Sequence, residues 1–250
     1  MDITTVADDL IVCHDGDTVF RLENLQPAST HAVGGVDVTT LARPGGELLC
    51  RFATVNDVHF GEVECGRFDG HEGGPIERAS AGDPPYAETM NRGAAAEIAV
   101  IDPTAVIVKG DLSQDGKPEE WEAFEACYRG AFGDRLHVVR GNHDAYHGQT
   151  SYAGDQWIEL PGVVVALLDT VIPFGTTGNI TAEQIDWLDS HAATADRPVL
   201  LMGHHQQWIA GAGGTRSPEY FGLNPDCSDA LTEVVARRSR IVAYTAGRTH

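Results

Sequence analysis

An α/β fold with a small N-terminal β appendage follows from three features of this 250-residue sequence. From residue 47 onward, short apolar runs alternate with longer segments of helical periodicity. Several of those runs stop abruptly at Gly, Asp, Asn or His. The first 46 residues instead hold short strand-like runs broken by Asp-Gly, Gly-Gly and Pro-Gly, which is hairpin punctuation. Strands alternating with helices argue for central sheets flanked by helices. The expected division is therefore a small β appendage at 1–46 and one larger α/β domain at 47–250.

In the appendage the strand candidates are Leu10-Ile11-Val12, Thr18 to Leu22 and Val36-Asp37-Val38. They are too short to make an independent sandwich. The larger domain opens with an apolar strand, Leu48 to Val55, that runs into Asn56-Asp57-Val58-His59. Residues Gly61 to Pro85 form a glycine-rich stretch with Glu62, Glu64, His71 and Glu72, expected to be a long loop able to lie over a site. Tyr86 to Ile101 is alanine-rich and helical. Thr104 to Val108 is a strand, followed by Lys109-Gly110-Asp111. Pro118 to Ala131 is a helix with an early proline and acids in its first turn.

Leu136 to Val139 is a buried strand that ends in Gly141-Asn142-His143-Asp144. After a loop from Ala145 to Asp155, Gln156 to Leu160 and Val163 to Leu168 are apolar segments. Thr181 is placed to cap a helix through Ala193, with Ile185, Trp187 and Leu188 inward. Pro198 to Met202 is a strand before Gly203-His204-His205. Gly211 to Asn224 is a second glycine-rich loop, Ser228 or Asp229 caps a helix to about Arg238, and Ile241 to Ala246 is the last strand.

Composition narrows the function. Seventeen basic against 37 acidic residues give a formal net charge of −20, a surface that repels polyanions and argues against a broad nucleic-acid-binding face. A small anionic substrate remains compatible where local cations neutralise the site. The five cysteines (Cys13, Cys50, Cys65, Cys127 and Cys227) are scattered without metal or redox spacing. They read as reduced thiols of a cytoplasmic protein. Met1-Asp2-Ile3-Thr4 offers neither the basic nor the apolar part of a signal peptide. Runs such as Val163 to Leu168 are far too short to span a bilayer, so no membrane association is expected.

The chemistry sits at the strand ends. In order they carry Asp57 with His59, Asp111, Asn142 with His143, His204 with His205, and His250. Each alone is an ordinary turn, cap or rim residue. Their recurrence after five successive strands is what argues for a shared site, since parallel strands place chemistry at their carboxyl ends. Mixed Asp, His and Asn donors suit borderline-to-hard divalent ions such as Mn, Fe or Zn. Asp57 and His59 would share a face if the strand continued that far.

The ordered set Asp57-Val58-His59, Gly110-Asp111, Gly141-Asn142-His143-Asp144 and Gly203-His204 resembles the calcineurin-like metallophosphoesterase superfamily. That pattern runs Asp-x-His, Gly-Asp, Gly-Asn-His-Asp/Glu, Gly-His and Gly-His-x-His. The run Gly110 to Gly116, followed by Pro118 to Trp121, resembles the cyclic-nucleotide-phosphodiesterase-like branch. The resemblance spans Arg51 to His250. It implies a layered metallophosphoesterase-type fold and two divalent metal ions. One ion would be held by Asp57, His59, Asp111 and His250, the other by Asp111, Asn142 and His204, with Asp111 bridging. His205 is the alternative to His204, which is preferred because it directly follows Gly203. His143, oriented by Asp144, would be the catalytic donor to the phosphate or leaving oxygen. The implied reaction is hydrolysis of a small phosphodiester by a metal-activated hydroxide. A phosphomonoesterase or protein phosphatase of the same fold, and a metal-binding protein with degenerate catalysis, are the other readings.

One position departs from the pattern. Arg248 stands where the superfamily has a histidine that binds the second metal. A guanidinium has no lone pair to give, so the second metal is expected to be weakly held, more hydrated or absent. Arg248 then either points at the substrate phosphate or swings away to solvent or an acidic neighbour. The chain stops at His250, so the domain is expected to be truncated there, and terminal ligands fray unless tied down.

Overall fold

Strand periodicity fixes the layering of the larger unit. A computed structural model describes residues 1–16, 18–68, 71–211, 216–217 and 220–248, without the side chains of 67, 68 and 71–75. The chain forms two compact units, Met1–Leu48 and Leu49–His250. The first carries β1 (Asp2–Val6), β2 (Ile11–Asp15) and β3 (Thr18–Leu22) in one antiparallel sheet, and β4 (Thr30–Val33) and β5 (Val36–Thr39) in a hairpin. Its core is small: Ile11, Cys13 and Val33, with Leu22, Leu25 and Val38 packed against them.

The second unit contains β6 (Phe52–Val55), β7 (Glu64–Phe68), β8 (His71–Arg78), α1 (Tyr86–Ile101), β9 (Ala105–Lys109), α2 (Pro118–Phe124), α3 (Gly130–Phe132) and β10 (Leu136–Val139). It continues through β11 (Gln156–Leu160), β12 (Val163–Leu168), α4 (Ala182–Thr194), β13 (Val199–Gly203), α5 (Pro225–Arg237) and β14 (Ile241–Thr245). Its two larger sheets are a parallel one ordered β10-β9-β6, and β11-β12-β13-β14, in which only β11 runs antiparallel to its neighbour.

Successive side chains of a strand point to opposite faces. In β9, Val106 and Val108 pack with Phe124, Tyr128 and Phe132 from the helical segments. Ala105 and Ile107 face the other way, onto Val165 and Leu167 of β12. The alternate β12 residues Val164, Ala166 and Leu168 pack against Leu188 of α4 and Leu231 and Val234 of α5. The order of layers is therefore helices, sheet, sheet, helices. Strands buried on both faces read as continuous apolar runs, which is why β9 and β12 look alike in sequence. No described helix is long and apolar enough to cross a membrane.

Three local expectations are corrected. The stretch Gly61 to Pro85 is not all loop, because Glu64–Phe68 and His71–Arg78 pair as an antiparallel hairpin; the side chains of His71 and Glu72 lie outside the described residues. The helix expected over Pro118 to Ala131 holds a π-helical turn at Glu125–Arg129 between α2 and α3. The last helix begins one turn earlier than expected. Asn224, not Ser228 or Asp229, is its N-cap, with Asn224 Oδ1 accepting from Asp226 N and Pro225 in the first turn. Thr181 caps α4 as expected, in a reciprocal box with Gln184.

Candidate metal centre

β6, β9, β10, β13 and β14 all deliver their carboxyl ends to one place, and two glycines let those ends close up. A Cβ on Gly110 (φ +89°) would stand 2.6 Å from His204 Nδ1 and 2.8 Å from the Gly141 Cα. A Cβ on Gly141 would collide with Asp111 Oδ1. No side chain fits at either position, so the motif's glycines are required by contact as well as by turn geometry.

Asp111 lies at the middle. It is 1% exposed, with Oδ2 3.2 Å from His204 Nε2 and 3.7 Å from His59 Nε2, and Oδ1 accepting from the His143 backbone N–H at 3.0 Å. Among the described residues, two sets of donors have atoms within 4.8 Å of one another: His59, Asp111 and His143, and Asp57, Asp111 and His204. Both contain Asp111. Asp57, His59 and Asp111 have φ of 55°, 43° and 51°. Non-glycine residues rarely adopt this left-handed region, and such strain gathers at functional sites. The strand before Asp57 ends at Val55. Asp57 and His59 thus converge through a left-handed turn, not through the shared strand face anticipated from their spacing.

The histidines share one arrangement. His204 Nδ1 donates to Lys109 O at 3.0 Å, His143 Nδ1 to Gln114 O at 2.7 Å, and His59 Nδ1 to Gln114 Oε1 at 3.2 Å. Each acceptor is an oxygen with no proton to give, so each imidazole carries its proton on Nδ1. Nε2 is then the atom left for the centre, and in His59 and His204 it faces Asp111. Histidines that bind metals are held in this way. Burial drives the Asp111 carboxyl up, but the imidazoles of His204, His143 and His59 outweigh it and hold it well below the usual carboxylate range. Burial lowers His204, yet Asp111 prevails and raises it.

Asn142 is fixed by its amide nitrogen, which donates to Tyr146 Oη at 2.7 Å and turns Oδ1 to within 3.0 Å of His204 Nε2. His205 does not join the centre; its Nδ1 pairs with Thr170 Oγ1 at 2.8 Å. Asp144 is also placed differently from expectation. Its carboxylate accepts from the backbone of Gly141, Leu112 and Ser113 and from Ser113 Oγ, and none of these bonds comes from His143. The group that orients His143 is the Gln114 carbonyl. Sequence reasoning does not single out Gln114, although it lies within the Gly110–Gly116 run. His250 lies outside the described residues.

Arg248 neither reaches solvent nor pairs with a carboxylate side chain at salt-bridge distance among the described residues. It is 4% exposed. Its Nη1 donates to Asn142 Oδ1, its guanidinium lies 3.7 Å over the Phe221 ring, and its backbone N–H donates to Asp57 Oδ2 at 2.8 Å. A cavity of about 360 Å³ opens beside Asp57, lined in part by Asn56, Glu62, Tyr86 and Met90.

The donor set fits a divalent ion: two carboxylates, imidazoles held at Nδ1 with Nε2 toward the centre, and an amide oxygen. Known proteins resemble the chain in sequence and in fold. A "Probable cyclic nucleotide phosphodiesterase" of Synechococcus sp. is 26% identical over 154 residues, 59% of this chain and 58% of that protein. A protein of the same description from Rhodococcus erythropolis is 28% identical over 116 residues, 41% of this chain and 38% of that one. The matched stretches thus span about half the length of these curated relatives or less. Among solved structures, a dimetal phosphatase from Danio rerio superposes with a TM-score of 0.59 at 14% identity, over 82% of each chain. A purple acid phosphatase from yellow lupin gives 0.52 at 14% identity, over 90% of this chain and 45% of that one. These two likenesses concern the fold. The calcineurin-like phosphoesterase profile matches residues 50–235, and the chain therefore belongs to the calcineurin-like phosphoesterase family.

Proposed function

We propose that the protein hydrolyses small phosphodiesters of cyclic-nucleotide type at the Asp111 centre. The observation that carries this reading is the set of three imidazoles tied back at Nδ1 around one buried carboxylate. Asp57, His59 and Asp111 would hold a divalent ion, with Asn142, His204 and His250 the further donors that the family pattern assigns. Such an ion acidifies a water and draws charge from phosphoryl oxygens.

The remaining roles belong to the chain. His143 lies edge-on to His59, with ring centres 4.6 Å apart, and is held at Nδ1 by Gln114 O. In its protonated form, Nε2 carries the proton that the leaving alkoxide takes up. Asp144 acts by fixing the backbone that carries Asp111 and His143. The 360 Å³ cavity beside Asp57 has the size of a small-ligand site and supports a small substrate over a protein one. The description shared by the two curated relatives supports a phosphodiester.

The test is turnover of bis-p-nitrophenyl phosphate and of cyclic nucleotides with added Mn, alongside p-nitrophenyl phosphate. Diester turnover that His143→Ala lowers by about 10²–10⁴-fold supports the proposal. Hydrolysis of monoesters alone would reassign the protein as a phosphomonoesterase, and metal binding without hydrolysis of any ester would leave it a binding protein.

A further inference from the structure

We propose that the Arg248 guanidinium is the centre's own second cation, so that each chain holds one divalent ion where the family pattern implies two. This rests on the reading of Asp57, His59 and Asp111 as ligands of an ion.

Three observations lead here. The first is occupancy. A second ion would need Asn142 Oδ1 at about 2.1 Å, together with His204 Nε2. Those two atoms are 3.0 Å apart, and the oxygen already accepts from Arg248 Nη1. A planar, hydrogen-bonding cation fills the place where the ion would sit. The amide cannot turn its nitrogen inward to release the oxygen without giving up its bond to Tyr146.

The second is restraint. Arg248 can leave only by losing the stack on Phe221. Its backbone is tied as well. Arg248 N donates to Asp57 Oδ2, Gly247 N to His204 O at 3.0 Å, and buried Lys109 Nζ to Ala246 O at 3.1 Å. A Cβ on Gly247 would lie 2.9 Å from Asn56 Cβ. The segment after β14 is therefore pressed against the turn that carries Asp57, and the guanidinium is held in the centre by both main chain and side chain.

The third is charge. Asp57 and the buried Asp111 bring two carboxylates to one place, and cations there must balance them. A guanidinium keeps its charge at every working pH. It supplies a fixed positive group to an incoming phosphoryl oxygen, and its planar fork suits phosphate. It cannot acidify a water, so that task stays with the single ion.

The experiment is metal stoichiometry of the purified full chain after chelation and reloading with Mn, read by elemental analysis and by electron paramagnetic resonance. Wild type is expected to hold one Mn per chain with the signal of an isolated ion. Arg248→His is expected to hold two, with the exchange-coupled signal of a pair, and Arg248→Lys to remain at one. Two tightly held ions in wild type with phosphodiesterase activity intact would overturn this proposal and leave the assigned function standing. A single ion in a folded Arg248→His protein would also overturn it. No ion in either protein would overturn both this proposal and the metal-dependent reading of the site.

Discussion

The Asp144 carboxylate fastens together the two turns on which Asp111 and His143 stand. Oδ2 accepts from Gly141 N at 2.8 Å and Leu112 N at 3.1 Å, and Oδ1 accepts from Ser113 N at 2.9 Å and Ser113 Oγ at 2.6 Å. Asp144 is fully buried. Asp144→Ala would strand three buried N–H donors, and each such loss costs about 1–3 kcal/mol. The expected result is destabilisation of more than about 3 kcal/mol in denaturant unfolding, with metal binding lost alongside. A variant of unchanged stability and altered pH–rate profile would make Asp144 a proton-transfer group instead.

Gln114 serves two histidines, its carbonyl holding His143 and its side chain holding His59. Only the second contact depends on side-chain identity. Gln114→Ala is therefore expected to weaken metal affinity about 10–100-fold, the usual cost of losing an orienting partner. His143 should keep its orientation, so turnover at saturating metal should fall much less. Calorimetric titration with Mn and rates across metal concentrations separate the two effects. Equal losses of affinity and saturated rate would contradict this division.

The legibility of the site in the sequence is uneven for physical reasons. β9, β10 and β13 are short apolar runs that stop at glycine and a polar residue, so their ends, and hence Asp111, Asn142 and His204, can be read directly. Period-two burial also places these strands between two apolar layers. The partners of those residues are hidden because they are backbone atoms distant in sequence: Gln114 O for His143, Lys109 O for His204. Asp57 and His59 approach through positive φ values, which residue spacing does not announce. The β7–β8 hairpin is hard to see because Glu64–Phe68 and His71–Arg78 carry Gly and Pro in place of alternating apolar residues. The cap of α5 is different: Asn224-Pro225 is a legible start signal, overshadowed by Ser228 and Asp229 one turn on.

Asp189 on α4 clasps the end of α5, and this clasp sets a pH dependence away from the metal centre. Arg238 donates to both carboxylate oxygens at 2.8 Å, and Arg237 Nε adds a bond at 2.9 Å. The hydrogen bonds from Arg238, ahead of those from Arg237, pull the Asp189 carboxyl down to about 2. A folded-state value depressed below the unfolded one of about 3.9 contributes stability above the unfolded value. That contribution is lost as pH falls through the folded value. Asp189→Asn should accordingly be less stable than wild type at pH 5–7, with the gap closing between about pH 4 and pH 2. A gap constant across that range, measured by urea unfolding at each pH, would mean that the clasp contributes through hydrogen bonding alone.

Metal removal should register in stability because the proposed ligands come from separate strand ends. Asp57 and His59 follow β6, and Asp111 follows β9. An ion that binds them together binds the folded chain and not the unfolded one. At a free concentration one hundred times its dissociation constant it adds about 2.7 kcal/mol, which for a chain of this size raises the melting temperature by about 5–10 °C. Chelation should lower the melting temperature by that amount and abolish turnover, and Mn should restore both. Asp111→Asn removes the carboxylate common to both donor sets, so its melting temperature should not respond to Mn. An equal Mn-dependent rise in that variant, followed by scanning calorimetry, would place the bound ion elsewhere in the molecule.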